Sequence, residues 1–354
     1  MSVNTNALER KLKRRASLTD TNLLLIITIV VFIVMYMCAV IFLQKGFTKP
    51  QMFFNILNEN ASLLVLSCGM TLVMITGGID ISVGQVTCLV CMACAVHLQK
   101  VNDGLAHGNV LTSLLIALAI GLAFGIVQGA LVAYMEFQPF IVTLAGLFFA
   151  KGMTTIVCSD RVPVTYEPFV KLARTEVTIP FLGSVNKKGI YIPAYVEVGV
   201  IVAIAVVILL FCLLRWTKLG RNFYAVGGNN QSANMLGINV KRTKFMAHLL
   251  CSLLAAIGGY VYFMHVGSGS PSHADGAEMN AIASSIIGGT MLTGGVGNII
   301  GTFFGVLSLS TIKNIVSSLG LDEAWWTNIT VAFMLCLFLL VQSLVLRRKA
   351  GAKK

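Results

Sequence analysis

Asp80 is a carboxylate set in Thr76-Gly77-Gly78-Ile79-Asp80-Ile81-Ser82-Val83-Gly84, between two long apolar segments. A carboxylate at membrane depth costs on the order of 2.5–3.5 kcal/mol on the insertion scale, so it needs a partner or water. Two compatible readings follow. Asp80 caps the helix that follows it, accepting from N–H groups of the first turn. Alternatively, Asp80 lines a polar path or its inner gate with Ser82, where Gly77 and Gly78 let the backbone bend. A second acid, Glu278, opens the short segment Glu278-Met279-Asn280-Ala281-Ile282-Ala283. At a helix start it is favoured by the macrodipole; the other reading puts it at the outer mouth of the path. Cys88, Cys91 and Cys94 lie three apart and can share a helix face. No His or carboxylate joins them at ligand spacing, so they read as small apolar residues rather than a metal or redox site. The chain has no G-x-x-x-x-G-K-[ST] phosphate loop, no redox motif and no nucleophilic triad. No catalytic residue and no metal ligand is expected.

The stretch Thr217 to Ile238 is too patterned for a simple connector. Asn229 or Asn230 caps a short helix that Gly237 ends, and Ala233, Met235 and Leu236 give it a small apolar face. Such a helix suits a partner's groove; the plainer reading lays it on the membrane surface.

The elements that position these residues follow from composition. The chain has 354 residues, 56% of them apolar and 11% charged, with a mean hydropathy of +0.85. Soluble domains carry about 25% charged residues, so a soluble enzyme and a disordered chain are excluded. Continuous apolar runs, rather than alternating ten-residue strands, exclude a membrane barrel. Ten segments stand out: 21–44, 60–79, 81–99, 109–135, 137–159 (interrupted by Lys151), 198–214, 245–266, the short 280–293, 299–319 (across Lys313) and 324–346. The expected fold is an all-α polytopic membrane protein of about ten transmembrane helices with both termini cytoplasmic. The nine cysteines sit almost wholly inside these runs.

Charge orients the chain. Five Lys/Arg fall in the N-terminal segment 1–20, six between Arg215 and Lys244, and five in the tail 347–354. With ten crossings all three regions lie on one side, the cytoplasmic side under the positive-inside rule. The net charge of +12 is therefore read as topology anchors, not a nucleic-acid patch. The membrane core spans 21–346, with a cytoplasmic loop at 216–243 and an extracytoplasmic loop at 160–193. Two punctuations echo each other, Met74-Ile75-Thr76-Gly77-Gly78-Ile79 and Met291-Leu292-Thr293-Gly294-Gly295-Val296. Glycine-interrupted segments at matching places can mark a transport pathway, although six residues also match by chance in a chain so rich in Gly and Leu.

At these stretches the chain resembles the permease of bacterial carbohydrate ABC importers of the ribose, xylose and galactose type. The carriers are Gly77 to Gly84 (G-G-I-D-L-S-V-G, with Ile81 in the Leu place), Thr217 to Ile238 (T-x-x-G-R, A-x-G-G-N, G-I), Glu278 to Ala283, Gly288-Gly289-Thr290 and Gly294 to Gly297. Finer similarity, in Phe140 to Phe149 and Trp325-Trp326-Thr327, points to galactofuranose-importer permeases. Lys151 stands where that family usually has Arg, and Asn280 where it has Asp. The resemblance implies a cytoplasmic ATPase docking on Gly220, Arg221, Ala225, Gly227, Gly228, Asn229, Ala233 and Gly237. It implies a solute path or gate of Gly77, Gly78, Asp80, Ser82, Thr143, Glu278 and Asn280. It further implies an extracytoplasmic sugar-binding protein, a second permease (a sister or a second copy), a small sugar, surrounding lipid, and a bacterial cytoplasmic membrane location. No cofactor belongs to the chain itself; ATP and Mg are used by the ATPase. Alternatives are an ABC permease for a nucleoside or branched-chain amino acid, and an ion-coupled secondary transporter. The last needs more paired intramembrane acids than Asp80, Glu136 and Glu197.

Overall fold

The computed structural model describes residues 5–43, 46–102, 109–185, 191–321 and 324–351, with side chains for 24–43, 46–99, 109–184, 191–321 and 325–340. The basic side chains read as anchors at the two ends lie outside the described residues. Thirteen helices run in the order α1 (Thr5–Leu43), α2 (Pro50–Ile75), α3 (Val83–Asn102), α4 (Val110–Ala133), α5 (Pro139–Val157), α6 (Glu167–Ala173), α7 (Val198–Trp216), α8 (Lys218–Gly228), α9 (Asn230–Met235), α10 (Val240–Val266), α11 (Ala277–Ile287), α12 (Ile299–Ser318) and α13 (Ala324–Gly351). Each of the ten segments read from the sequence contains a helix, although in 280–293 it ends at Ile287. Seven of the described helices are long and apolar enough to cross a bilayer: 24–43 within α1, α2, α4, α5, α7, α10 and α12.

Local chemistry sets the ends. Pro50 and Pro139 start α2 and α5, where a missing N–H costs nothing. Asn109, Asn239 and Asn298 cap α4, α10 and α12 through their side-chain oxygens. Several helices begin before their apolar runs, α2 and α10 among them. α2 starts ten residues ahead of Asn60, because the polar groups there find partners: Asn58 Oδ1 accepts from the Glu197 amide at 3.0 Å, and Asn60 Nδ2 donates to Ile56 O at 2.9 Å. α10 starts at Val240 because Asn239 accepts from the Arg242 amide at 2.8 Å.

The expectation of an all-helical chain needs a correction in and beside segment 160–193. There β2 (Glu176–Val185) and β3 (Tyr191–Glu197) form an antiparallel hairpin with an irregularity between Ile179 and Gly183. A two-residue strand, β1 (Val162–Pro163), pairs with β4 (Ser268–Gly269). Segment charge and hydropathy carry no strand signal here, since pairing is made by backbone groups. Phe169 of α6 is fully buried and stacks on Phe263 with ring centroids 4.4 Å apart, which pins this segment to α10.

α2 and α10 form the centre. The longest apolar stretch of α2 is 83% buried, whereas those of α1, α4 and α5 are 22% buried and leave bulky groups such as Phe42 and Ile156 outside. Lipid is as apolar as leucine, so close packing and hydrogen bonds hold such helices together. α4 meets α10 through Gly121, Gly125 and Gly129, four residues apart. A Cβ at Gly125 would lie 2.9 Å from Leu249 Cα, and one at Gly121 2.5 Å from Ala256 Cβ. Hydroxyls tie α2, α11 and α12: Thr71 Oγ1 lies 2.7 Å from Thr302 Oγ1, 2.8 Å from Ser67 O and 3.1 Å from Ser285 Oγ.

A branched side chain in the α4 stripe must push two backbones apart. Gly125→Ile is expected to cost about 1–3 kcal/mol, the usual penalty of overpacking, and Gly152→Ala, with nothing within 4 Å of its added methyl, close to none. Thermal unfolding in detergent checks the ranking; equal midpoints would contradict the packing.

Candidate functional site

The two echoing glycine turns meet in space. Gly77 donates to Met74 O at 2.9 Å, and Gly294 donates to Met291 O at 3.1 Å, so corresponding residues close the same three-residue step. Both glycines are left-handed, at φ +83° and +82°, a conformation open to glycine and strained for other residues. The Gly295 amide donates to Ile75 O at 2.9 Å and thereby joins the end of α2 to the turn between α11 and α12.

α8 lies over this joint. Gly220, Phe223 and Val226 form its buried face, the i, i+3 spacing of an amphipathic helix. Gly220 sits against Leu213 and Leu214, and a Cβ at Gly227 would overlap the Ile75 carbonyl. Tyr224 Oη donates to Gly297 O at 2.8 Å; burial pushes its phenol up to about 12, so it stays a donor. Asn229 then caps α9, accepting from the Ser232 amide at 2.8 Å. Gly237, at φ +77°, ends it, with Ile238 donating back to Ala233 O at 3.1 Å. The short helix read from the sequence is α9, and α8 adds a second. Its apolar residues do not form one face: Ala233 is buried, while Met235 and Leu236 are 87% and 79% exposed. Arg221, Gly228, Asn229 and Gly237 are exposed; Ala225 and Gly227 are half-buried. A cleft of about 760 Å³ flanks α9, lined by Glu136, Gln138, Asn230, Asn234 and Lys241 among others. Glu136 Oε1 pairs with Lys241 Nζ at 2.9 Å, a hydrogen bond that lowers the carboxyl below its ordinary range.

Asp80 is fully buried. Its Oδ1 accepts from the Ser82 amide at 3.0 Å and from Ser82 Oγ at 2.6 Å. Ser82 also bonds Gln128 of α4, which donates from Nε2 at 3.0 Å. Thr143 Oγ1 reaches Ile79 O at 3.3 Å. Asp80, Ser82 and Thr143 thus brace α3, α4 and α5 against one another, beside buried Gly78 and exposed Gly77. The cap-like contact of Asp80 is made to the residue just ahead of α3.

Glu278 stands in the first turn of α11, after left-handed Gly276, and so close to α3 that a Cβ at Gly84 would overlap its carboxylate. Asn280 faces the other way: its Oδ1 accepts from Lys313 Nζ of α12 at 3.0 Å. Lys151 Nζ lies 3.5 Å from Asp275 Oδ1, and Asp275 also accepts from Gln85 Nε2 at 2.8 Å. In the sequence Lys151 and Lys313 interrupt apolar runs, and Lys151 stands where the resembled family usually has Arg; nothing there singles out Gln85, Asp275 or Tyr224. The available signal was that each lone cation in a span must find an acceptor.

The cysteine stripe serves the loop between α10 and α11. Cys91 Sγ donates to Ser268 O (3.2 Å) and Cys88 Sγ to Ser270 O (3.3 Å), while Cys94 Sγ donates to Ser113 O of α4 (3.2 Å). Among the described residues, no group of three or more His, Cys, Asp or Glu is placed to hold a metal ion.

Residues 52–341 match the family described as the permease component of branched-chain amino acid transport systems. The inner-membrane ABC transporter permease YjfF of Escherichia coli K12 is 35% identical over 322 residues, 91% of this chain and 92% of YjfF. The fructose import permease FruG of Bifidobacterium longum is 34% identical over 288 residues, 81% of each chain. The ribose import permease RbsC of E. coli K12 is 33% identical over 301 residues, 85% of this chain and 88% of RbsC. No solved structure matches the chain. The chain belongs to this ABC permease family and is a multi-pass protein of the inner membrane.

Two adjacent glycines test the joint under α8. Gly227→Ala drives a methyl into the Ile75 carbonyl, whereas Gly228→Ala meets nothing within 4 Å. Gly227→Ala is expected to lose about 1–3 kcal/mol, read as a lower thermal midpoint and faster proteolysis near 217–238. The packing described fails if Gly228→Ala is the more damaging change.

Proposed function

We propose that the chain is the membrane-spanning subunit of an ATP-driven importer for a small sugar of the ribose, galactose or galactofuranose class. In this reading it crosses the membrane ten times with both termini inside. A separate ATPase docks on α8 and α9, and an extracytoplasmic binding protein delivers the sugar to the face that carries β2 and β3. A second permease, a sister or another copy, completes the pore. ATP and Mg belong to the ATPase, consistent with the lack of a phosphate loop here.

The observation that carries this reading is the α8–α9 platform. A helix pair whose outward side offers bare Met235 and Leu236 is suited to a groove. Its inward side rests on the joint between α2 and the α11–α12 turn, so a push on α9 is transmitted to the glycine turns beside Gly77, Gly78, Asp80, Ser82 and Thr143, the proposed inner gate. The names of the ribose and fructose permease relatives support a sugar. The family's description favours branched-chain amino acids as the second reading. Ion-coupled transport is disfavoured because Glu136 pairs with Lys241 in a loop, and Glu197, just ahead of α7, pairs with His265 at 2.7 Å.

Met235→Glu combined with Leu236→Glu alters exposed positions and leaves the buried Ala233 in place. Co-purification of the ATPase is expected to fall at least tenfold, with the permease still inserted at its normal level; undiminished co-purification would overturn docking through α9. Proteoliposomes of the assembled complex should take up ribose or galactose, and not leucine, only with ATP. Uptake by the permease alone would sink the ATP-driven reading.

A further inference from the structure

The chain that leaves α10 does not stay at the surface. It descends along α3, meeting Cys91 at Ser268, Cys88 at Ser270 and Gln85 at Asp275. From Cys91 to Gln85 is six residues of helix, ~9 Å. Seventeen residues of α3, ~25 Å, still follow Gln85. Irregular backbone at membrane depth is tolerated where it is buried in protein or lines a water-filled cavity. Here both conditions apply on opposite sides. The α3 side is sealed by thiols donating to loop carbonyls. The other side is open, and Lys151 and Asp275 stand on it, with side chains 53% and 49% exposed.

Lys151 lies within α5, with six residues of helix beyond it. A half-exposed ion pair at that level is costly against hydrocarbon, so charged residues in spans face a bundle interior or a water-filled path. The α5 surface next to Lys151 carries open Gly152 and exposed Thr155, which leaves room beside the pair. The pair is also built from behind. Gln85, 3% exposed, holds Asp275 Oδ1, and its own Oε1 has no hydrogen-bond partner among the described residues. Glu278 Oε2 beside it is buried and likewise without a partner. Buried polar atoms are nearly always paired; eleven are unpaired among the described residues, and these two lie beside the open ion pair. α3 and α11 both begin here, as broken helices do around transport sites.

We propose that Lys151 and Asp275 form a polar rung in the translocation path, at which a neutral polyhydroxylated solute exchanges its hydroxyls for the ion pair. The inference rests on the sugar reading above. At 3.5 Å the two groups are a loose pair, so neighbouring hydroxyls of one ring can insert between them, accepting from the amine and donating to the carboxylate. Gln85 is a positioning residue that fixes the carboxylate.

The test uses the assembled complex in proteoliposomes, with Cys38, Cys158, Cys212 and Cys336 replaced by serine. A charged methanethiosulfonate should modify Lys151→Cys and Asp275→Cys at least tenfold faster than Phe42→Cys on the outer face of α1. Ribose or galactose presented by the binding protein should slow that reaction. Rates no faster than at Phe42 in every nucleotide state, as lipid or a sister permease covering the pair would give, overturn the rung. Lys151→Met and Asp275→Asn, the latter keeping an acceptor for Gln85, should each lower sugar uptake at least tenfold while the ATPase still co-purifies. Lys151→Arg should retain more uptake than Lys151→Met. Normal uptake by Lys151→Met or Asp275→Asn also overturns the rung. A wild-type complex that takes up neither sugar defeats the sugar reading instead, and fast labelling of Lys151→Cys would then still place the pair on a water-filled path.

Discussion

The carbonyl of Ile75 is the point on which the end of the molecule that carries α8 rests. It ends α2, accepts the Gly295 amide at 2.9 Å, and lies under Gly227, where even a methyl would collide with it. Three separate pieces of chain touch within one residue's width because the two that meet the Ile75 carbonyl, at Gly227 and Gly295, supply glycine there. Close backbone approach is how helices associate where no hydrophobic force separates lipid from leucine. The same device recurs at the α4–α10 contact. The protein is held by absent side chains as much as by present ones.

Polar groups at depth follow a second rule, that each must have a partner inside the protein or a path to water. Asp80 meets it at Oδ1, held by Ser82, which Gln128 braces in turn, while Oδ2 has no hydrogen-bond partner among the described residues. Asn280 satisfies Lys313 on the neighbouring helix. The hydroxyls of Thr71, Ser285 and Thr302 satisfy one another and hold the short α11, which is too brief to cross the membrane, against α2 and α12. Lys151 and Asp275 differ in being paired and open at once.

The distribution of these groups separates moving parts from fixed ones in the proposed cycle. α2 and α10 are buried along most of their length and knit by side chains from every neighbour. α8 and α9 instead rest on turns, and turns change shape at lower cost than packed helices. A push from the cytoplasm reaches the glycine turns first and α11 and α12 next.

Much was legible in the sequence. The apolar segments near twenty residues long are helical because such runs leave the backbone no other way to satisfy its hydrogen bonds in lipid; the short segment 280–293 is helical only as far as Ile287. Asn229 and Gly237 bound α9 as their types dictate, and Glu278 falls in a first turn. The Cys88–Cys91–Cys94 spacing gave a shared face without its purpose. The hairpin at 176–197 was invisible, because backbone pairing leaves little mark on charge and hydropathy. The glycine stripe of α4 was legible in principle, as three glycines four apart, but not its partner.

What the sequence by itself determined is the membrane class, the positions of most helices and the residue types at each turn, since all of these depend on neighbours along the chain. Only the tertiary structure decided that Met74–Ile79 meets Met291–Val296 under α8, that Ala233 points inward while Met235 and Leu236 point out, and that Asp275 reaches Lys151 and Gln85. Those contacts join residues more than 100 positions apart or depend on which way a helix turns its faces. Periodicity in one helix says which residues share a side, and not what that side will meet.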